Sequence, residues 1–265
     1  MNTWTGIQIT DSVVTGLDLS NKNLSTFPNL LLPSLTHLHL NNNQLTAIPS
    51  FNLPNLLYLA LANNQLTELP DLNLPNLRYL YLNNNQLASV PNFSALPNLR
   101  YLYLPYNELT TVPSFNALPL DILHLQNNQL DFDDLTTSHF DNIIYAYKSQ
   151  DSIAIYQSNH LLYVKAGENP INNTYKWFKD NVLINSINGD STLSVTQTGR
   201  YRCEVTNSLF TQNRFFQDLV LYSQVIEIED CRLSDSTQLL QLYTATNGQN
   251  WNNSWDIGQP ITTYN

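Results

Sequence analysis

Charge is scarce in this chain of 265 residues. Only 12% of it is Asp, Glu, Lys or Arg, against about 25% in an average globular domain, so its surface must be polar while staying largely uncharged. Basic residues are scarcer still: 11 Lys and Arg stand against 21 Asp and Glu, for a net charge of −10 and a pI near 4.7. Neutralising phosphates takes a basic patch, and none is present, which argues against nucleic acid as a partner. An acidic balance of this size mainly serves solubility. The 2 cysteines are too few for a disulfide framework and do not settle the redox compartment. No apolar run approaches the roughly 20 residues of a membrane-spanning helix, so no membrane insertion is expected within this segment. The start, MNTWTGIQIT, lacks the basic and apolar regions of a signal peptide. Catalytic signatures are missing too: there is no GxSxG, HExxH, P-loop or paired-cysteine metal motif. We therefore expect neither an enzyme nor a bound cofactor. Sequons at Asn23, Asn92, Asn172 and Asn252 carry little weight in a chain so rich in Asn, Ser and Thr.

What the chain does have is a period. From Val14 to Leu130 the pattern LxxLxLxxNxL recurs every 21 to 22 residues, with clean copies starting at Leu35, Leu56, Leu77, Leu99 and Leu120. A degenerate first copy starts at Val14, with Leu17, Leu19 and Leu24, and carries Lys22 in place of the asparagine. Residues and spacing resemble the leucine-rich-repeat family, in which each unit is one coil of a solenoid. The xLxL core of each unit reads as a short strand whose leucines share a buried face. The resemblance implies that Asn43, Asn64, Asn85, Asn107 and Asn128 form a buried ladder at the turn out of each strand, their amides meeting backbone groups that the turn leaves unpaired. Prolines recur in two columns, Pro28, Pro49, Pro70, Pro91 and Pro113, and Pro33, Pro54, Pro75, Pro97 and Pro119. Proline at that density excludes a regular helix, so the convex side should be extended or 3₁₀ and the solenoid mostly β.

Strand residues facing away from the leucines line the concave surface. In order they are His37 and His39, Tyr58 and Ala60, Tyr79 and Tyr81, Tyr101 and Tyr103, then Ile122 and His124. Two adjacent units read Arg-Tyr-Leu-Tyr-Leu, so Arg78, Tyr79, Tyr81, Arg100, Tyr101 and Tyr103 should form one patch flanked by Tyr106. Tyr and Arg are the types enriched at binding hot spots. The plainer reading is that these aromatics are ordinary strand formers paired across neighbours. His37 and His39 place two imidazoles on one face, but His124 is four strands away, roughly 19 Å at 4.8 Å per strand, so no zinc site is expected. Asp131, Asp133 and Asp134 lack the spacing of a calcium loop and read as a solvated acidic cap.

After Leu130 the pattern changes, from about Asn142, to short runs: His160 to Ala166, Thr174 to Phe178, Ser191 to Val195, Tyr201 to Val205 and Leu219 to Ile228. TYKWFKDN around Trp177 followed by TGRYRCEVTN around Cys203 resembles the immunoglobulin-like domain, with Tyr201 at the corner position and Trp177 packed beside Cys203. The run ending in Val164 to Ala166 lacks the partner cysteine, so Cys203 is expected as a buried free thiol, with Cys231 beyond the sandwich and unpaired with it. The segment Asp235 to Asn265 resembles the cap that opens many leucine-rich-repeat arrays: a helix with Leu239, Leu242 and Tyr243 on one face.

The expected fold is therefore mainly β. A solenoid spans 1–141, an immunoglobulin-like sandwich 142–230 and a partial helical cap 231–265. The joined architecture resembles bacterial surface proteins of the internalin type. That resemblance implies a non-enzymatic, extracellular or cell-surface module, whose concave face captures a protein or polysaccharide through His37, His39, Tyr58, Arg78, Tyr79, Tyr81, Arg100, Tyr101, Tyr103, Tyr106 and His124. The alternative is a structural spacer in a tandem surface protein. An orphan cap at 231–265 and an uncovered first coil at Trp4, Ile7 and Ile9 are complementary, so head-to-tail self-association is expected as well.

Overall fold

The computed structural model describes residues 6–135, 144–146, 150–158, 160–167, 169–211 and 219–229. The chain divides into two compact units, Met1–Asp151 and Ser152–Asn265.

The first unit holds one sheet in strict chain order: β1 (Ile7–Thr10), β2 (Val13–Asp18), β3 (His37–His39), β4 (Tyr58–Ala60), β5 (Tyr79–Tyr81), β6 (Tyr101–Tyr103), β7 (Ile122–His124) and β8 (Ile144–Ala146). β1 and β2 pair antiparallel. Gly6, at the entry to this hairpin, has φ +92°, and a Cβ there would meet the Asp18 carbonyl oxygen at 2.3 Å, so only glycine fits. From β2 onward every pairing is parallel and in register, so that His37, Tyr58, Tyr79, Tyr101 and Ile122 fall in one row. The leucines between them, such as Leu38, Leu59, Leu80, Leu102 and Leu123, are fully buried. No residue from Pro28 to Pro119 is helical, in keeping with the proline columns.

Strands of three residues are too short to hold a sheet by themselves, and the turns that follow them supply the rest. Each coil leaves its strand through a left-handed residue, namely Asn21, Asn42, Asn63, Asn84, Tyr106 or Asn127, with φ between 55° and 57°. The next residue is the ladder asparagine, except after Asn21, where it is Lys22. Asn85 Nδ2 donates to the carbonyls of Leu61 at 3.1 Å and Leu82 at 2.9 Å, while its Oδ1 accepts from the Leu66 amide at 3.0 Å. Asn64, Asn107 and Asn128 repeat this pattern. At the first coil Asn43 Oδ1 takes the amides of both Lys22 and Leu24, so the lysine does not interrupt the ladder. A second, exposed ladder runs outside it. Asn55, Asn76 and Asn98 each donate to the carbonyl of the proline one coil earlier, Pro33, Pro54 and Pro75.

The period also runs further than the leucines do. β8 pairs with β7 as Ile122↔Ile144, Leu123↔Tyr145 and His124↔Ala146, a spacing of 22 residues, and Gln150 lies 22 residues after Asn128. Gln150 Nε2 donates to Leu125 O at 3.0 Å and its Oε1 accepts from the Leu130 amide at 3.2 Å, which are the ladder's bonds made by a longer amide. The first compact unit runs to Asp151, so both β8 and Gln150 fall within it. Asp131 and Asp134 are half-buried rather than a solvated cap. Asp131 accepts from the Asp133 amide, and Asp134 from the Val112 amide one coil back.

The second unit has two antiparallel sheets. One is ordered β13 (Thr192–Ser194), β10 (Leu161–Val164), β9 (Ile155–Ser158), and the other β12 (Val182–Asn188), β11 (Asn173–Lys179), β14 (Gly199–Asn207), β15 (Leu221–Tyr222), with β16 (Ile226–Ile228) also on β14. Asp180 and Asn181, both with positive φ, turn β11 into β12. Trp177 and Cys203 are direct cross-strand partners and both are buried. The Tyr201 hydroxyl donates to the carbonyl of Gln197, four residues upstream, at 2.7 Å. Cys203 is a free thiol, and burial first, with the Glu204 carboxylate second, pushes it up to about 12, which keeps it protonated and inert. Residues 231–265, including Cys231 and the expected cap, lie outside the described residues, as does Trp4.

If the buried ladder holds the coils together, Asn85→Ala should strand two carbonyls and an amide and cost about 3 kcal/mol. Asn76→Ala, on the exposed ladder, should cost well under 1 kcal/mol by the same bookkeeping, because water replaces the lost bond. Urea unfolding of the two variants, followed by far-UV circular dichroism, makes the comparison.

Candidate binding face

In-register parallel pairing sets the concave side chains one strand spacing apart, about 4.8 Å, and two rows of rings result. Along the first row, ring centroids are 5.9 Å apart for His37 and Tyr58, 6.0 Å for Tyr58 and Tyr79, and 4.5 Å for Tyr79 and Tyr101. In the second, Tyr81 and Tyr103 lie 4.6 Å apart, and His124 meets Tyr103 edge-on at 4.8 Å. The second row would break at Ala60, its one small residue. Tyr58 leans across that gap, 4.8 Å from His39 and 5.1 Å from Tyr81, and Ala60 is left buried. The face is thus one continuous aromatic surface from β3 to β7. The four tyrosines of β5 and β6 are half-buried. Burial pushes Tyr81 up to about 12, helped by the neighbouring phenols of Tyr58, Tyr103 and Tyr79, and it pushes His124 down.

Arg78 and Arg100 sit one residue ahead of β5 and β6, exposed, so they edge the face rather than line it. Arg100 donates to the Pro119 carbonyl and pairs with Asp121 at 3.6 Å. At the other end, Gly6, Ile7, Gln8, Gly16, Leu17, Asp18, His37 and His39 line a cavity of about 330 Å³. The sequence reading had not named this cavity, because it depends on β1 folding back on β2. Asp18 is held below the usual carboxylate range, first by the Ser20 hydroxyl and then by the Ser20 amide. Among the described residues no three His, Cys, Asp or Glu side chains come together to hold a metal.

Tyr106 stands apart from its column. The five equivalent positions, one residue before Lys22 or a ladder residue, are all asparagine, the side chain that tolerates left-handed backbone best after glycine. Tyrosine at φ 57° is strained there, yet its ring is 57% exposed and makes no ring contact with the rows. Its place after β6 on left-handed backbone is not something the repeat pattern reveals.

Three family models described as leucine-rich repeats match residues 34–56, 54–95 and 75–130. Residues 34–130 are leucine-rich repeats. Among solved structures, InlP of Listeria monocytogenes is similar at 25% identity and TM-score 0.54, over 80% of this chain and 64% of that one. The chain thus spans less than two thirds of InlP. The Listeria monocytogenes internalin-like protein lmo2027 matches at 22% identity and TM-score 0.45, over 78% of this chain and 61% of its own. YopM from Yersinia enterocolitica matches at 31% and 0.39, over 52% and 35%. No curated protein matches the chain. β8 and Gln150, which continue the parallel pairing and the amide bonds, lie beyond the last residue that the family models reach.

Two outcomes follow from this geometry. Tyr106→Asn should relieve backbone strain of about 1 kcal/mol and raise the melting temperature of the repeats by a few degrees, read by far-UV circular dichroism. Asp134, pushed up to about 6 by burial and by Asp131, favours the fold while protonated. Its contribution is full below the ordinary aspartate value of 3.8 and is lost as pH rises through about 6. Asp134→Asn keeps the acceptor for Val112 but not the charge, so it should match the parent near pH 4 and melt higher at pH 7.

Proposed function

We propose that this chain is a non-enzymatic binding module, secreted or displayed at a cell surface, that captures a protein ligand on the concave face of its leucine-rich repeats. The observation that carries this reading is the continuous surface that the tyrosine and histidine rings of two rows form from His37 to His124, which no fold requirement explains in full. Strand formation alone is satisfied by valine or threonine at such positions. A contiguous aromatic surface of this extent is unusual on a protein without a partner. Similarity in fold to InlP supports the same reading. The ligand contacts assigned are His37, His39, Tyr58, Arg78, Tyr79, Tyr81, Arg100, Tyr101, Tyr103, Tyr106 and His124.

In this reading the second unit is an immunoglobulin-like sandwich that spaces the repeats from whatever follows. The cross-strand pair of Trp177 with Cys203 and the Tyr201 bond to Gln197 support that assignment.

One observation favours a structural spacer instead. The Tyr79–Tyr101 and Tyr81–Tyr103 pairs are parallel within 5°, and stacked rings of this kind add about 0.5 to 1.5 kcal/mol each between neighbouring coils. The two readings part on one variant, Tyr79→Ala with Tyr81→Ala, Tyr101→Ala and Tyr103→Ala. A binding face should lose capture of its protein ligand in pull-downs while the chain still folds. A spacer should show no specific capture in either form and only a lower melting temperature.

A further inference from the structure

The orientation of the rings narrows the chemistry of the partner, on the understanding that the concave face binds one. Tyr79 with Tyr101 and Tyr81 with Tyr103 are stacked at 4.5 and 4.6 Å. Each pair therefore covers its own shared faces. On the far sides, Tyr58 closes toward Tyr81 at 5.1 Å and toward Tyr79 at 6.0 Å, and His124 closes against Tyr103 at 4.8 Å. Rings stacked face to face along the solenoid spend those faces on each other and leave their edges for a partner. A sugar that packs on an aromatic face finds most of the faces in the middle of this surface taken by other rings, the outer face of Tyr101 beside Ile122 excepted. A hydrogen-bond acceptor finds the phenol O–H groups instead, of which those of Tyr58 and Tyr81 bond to each other.

The distribution of charge points the same way. Between Asn23 and Leu130 the acids are Glu68, Asp71, Glu108 and Asp121, and none occupies a concave position in β3 to β7. Asp121 stands at the rim and is paired with Arg100. Over the same span Arg78 and Arg100 are the only Lys or Arg, and both edge the tyrosine rows. Arg78 has no ion-pair partner among the described residues. No carboxylate stands at the concave positions of β3 to β7, the nearest being Asp18 of β2 in register with His39, while Arg78 brings a guanidinium free of ion pairs to the rim of the tyrosine rows.

We propose that the concave face takes an acidic polypeptide segment, whose carboxylates and backbone carbonyls accept hydrogen bonds from the tyrosine hydroxyls and whose charge is met by Arg78. Two guanidiniums are too few to neutralise a nucleic acid or a heavily sulfated glycan, which carry a charge on nearly every unit. They suit a peptide with a few carboxylates.

Fluorescence anisotropy with the full chain and a labelled poly-L-glutamate of about 20 residues tests this, because an acidic polymer should bind so acidic a chain only through a local site. Binding is expected at low salt, weakening as salt rises. It should fall at least tenfold in Arg78→Ala. It should fall as far when Tyr79, Tyr81, Tyr101 and Tyr103 are all replaced by phenylalanine, which keeps the stacked rings and removes the donors. A melting curve checks that the phenylalanine variant is folded. Failure of poly-L-glutamate to bind, or equal binding by the phenylalanine variant, overturns the proposal, as does tighter binding of cellohexaose or heparin. If the alanine variant loses protein capture while the phenylalanine variant keeps it, the concave face binds and only the hydroxyl-donor chemistry fails. Should capture survive the alanine variant, the concave-face reading itself is wrong.

Discussion

The repeats depend on one interaction, the amide of a buried asparagine bridging two consecutive coils. Each three-residue strand makes too few bonds to fix its neighbour, and the left-handed residue after it turns the chain away from the sheet and leaves carbonyls and amides unpaired in the core. A single Asn side chain answers both problems. Asn85 joins the carbonyls of Leu61 and Leu82 to the amide of Leu66, so the same group closes its own turn and locks the coil before it. An unmet bond there costs more than any single surface contact returns. The ladder therefore sets the spacing, and the spacing puts the concave rings at stacking distance.

The concave face then shows where local preference was set aside. Ala60 leaves a hole in the second row, and Tyr58 fills it by tilting out of its own row. Pro105 and Tyr106 replace the Asn83-Asn84 and Gln126-Asn127 pairs of the neighbouring coils. Proline there still leaves a backbone carbonyl for the Asn84 amide at 3.0 Å, and Tyr106 still donates its amide to Gln126 O at 3.1 Å and accepts from the Asn85 amide at 3.2 Å, while its side chain is left exposed on left-handed backbone. A strained, exposed aromatic beside the proposed binding face is a local conflict of the sort that concentrates at functional positions.

Much of this was legible in the sequence because the repeat sets so many positions at once. LxxLxLxxNxL specifies which leucines are buried, which asparagines form the ladder and which residues face out, and the prolines tell what the convex side is not. The coil around β8 escaped that reading for a physical reason. Its leucine position in the strand is Tyr145 and its ladder amide is Gln150, so only the spacing of 22 survives, and spacing without residue type is a weak signal. In the second unit, Trp177, Tyr201 and Cys203 were read from their motif, while β9 and β12 were not. Val182, Leu183 and Ile184 run consecutively, and the register shift between Trp177 and Phe178 explains why that strand does not alternate. The stacking of the rings, the tilt of Tyr58 and the cavity at β1 depend on side-chain geometry that no pattern of letters carries.

The near-identity of the β5 and β6 units, both Arg-Tyr-Leu-Tyr-Leu, bears on how such a surface changes over time. Because register is parallel and unshifted, duplicating or deleting one whole unit adds or removes one rung and leaves every other side chain facing as before. A change of one residue within a unit would instead turn its remaining side chains to the opposite face and bury tyrosine where leucine belongs. The heritable step for this surface is thus a block of 21 or 22 residues. The reach of the tyrosine rows grows in increments of about 4.8 Å per block.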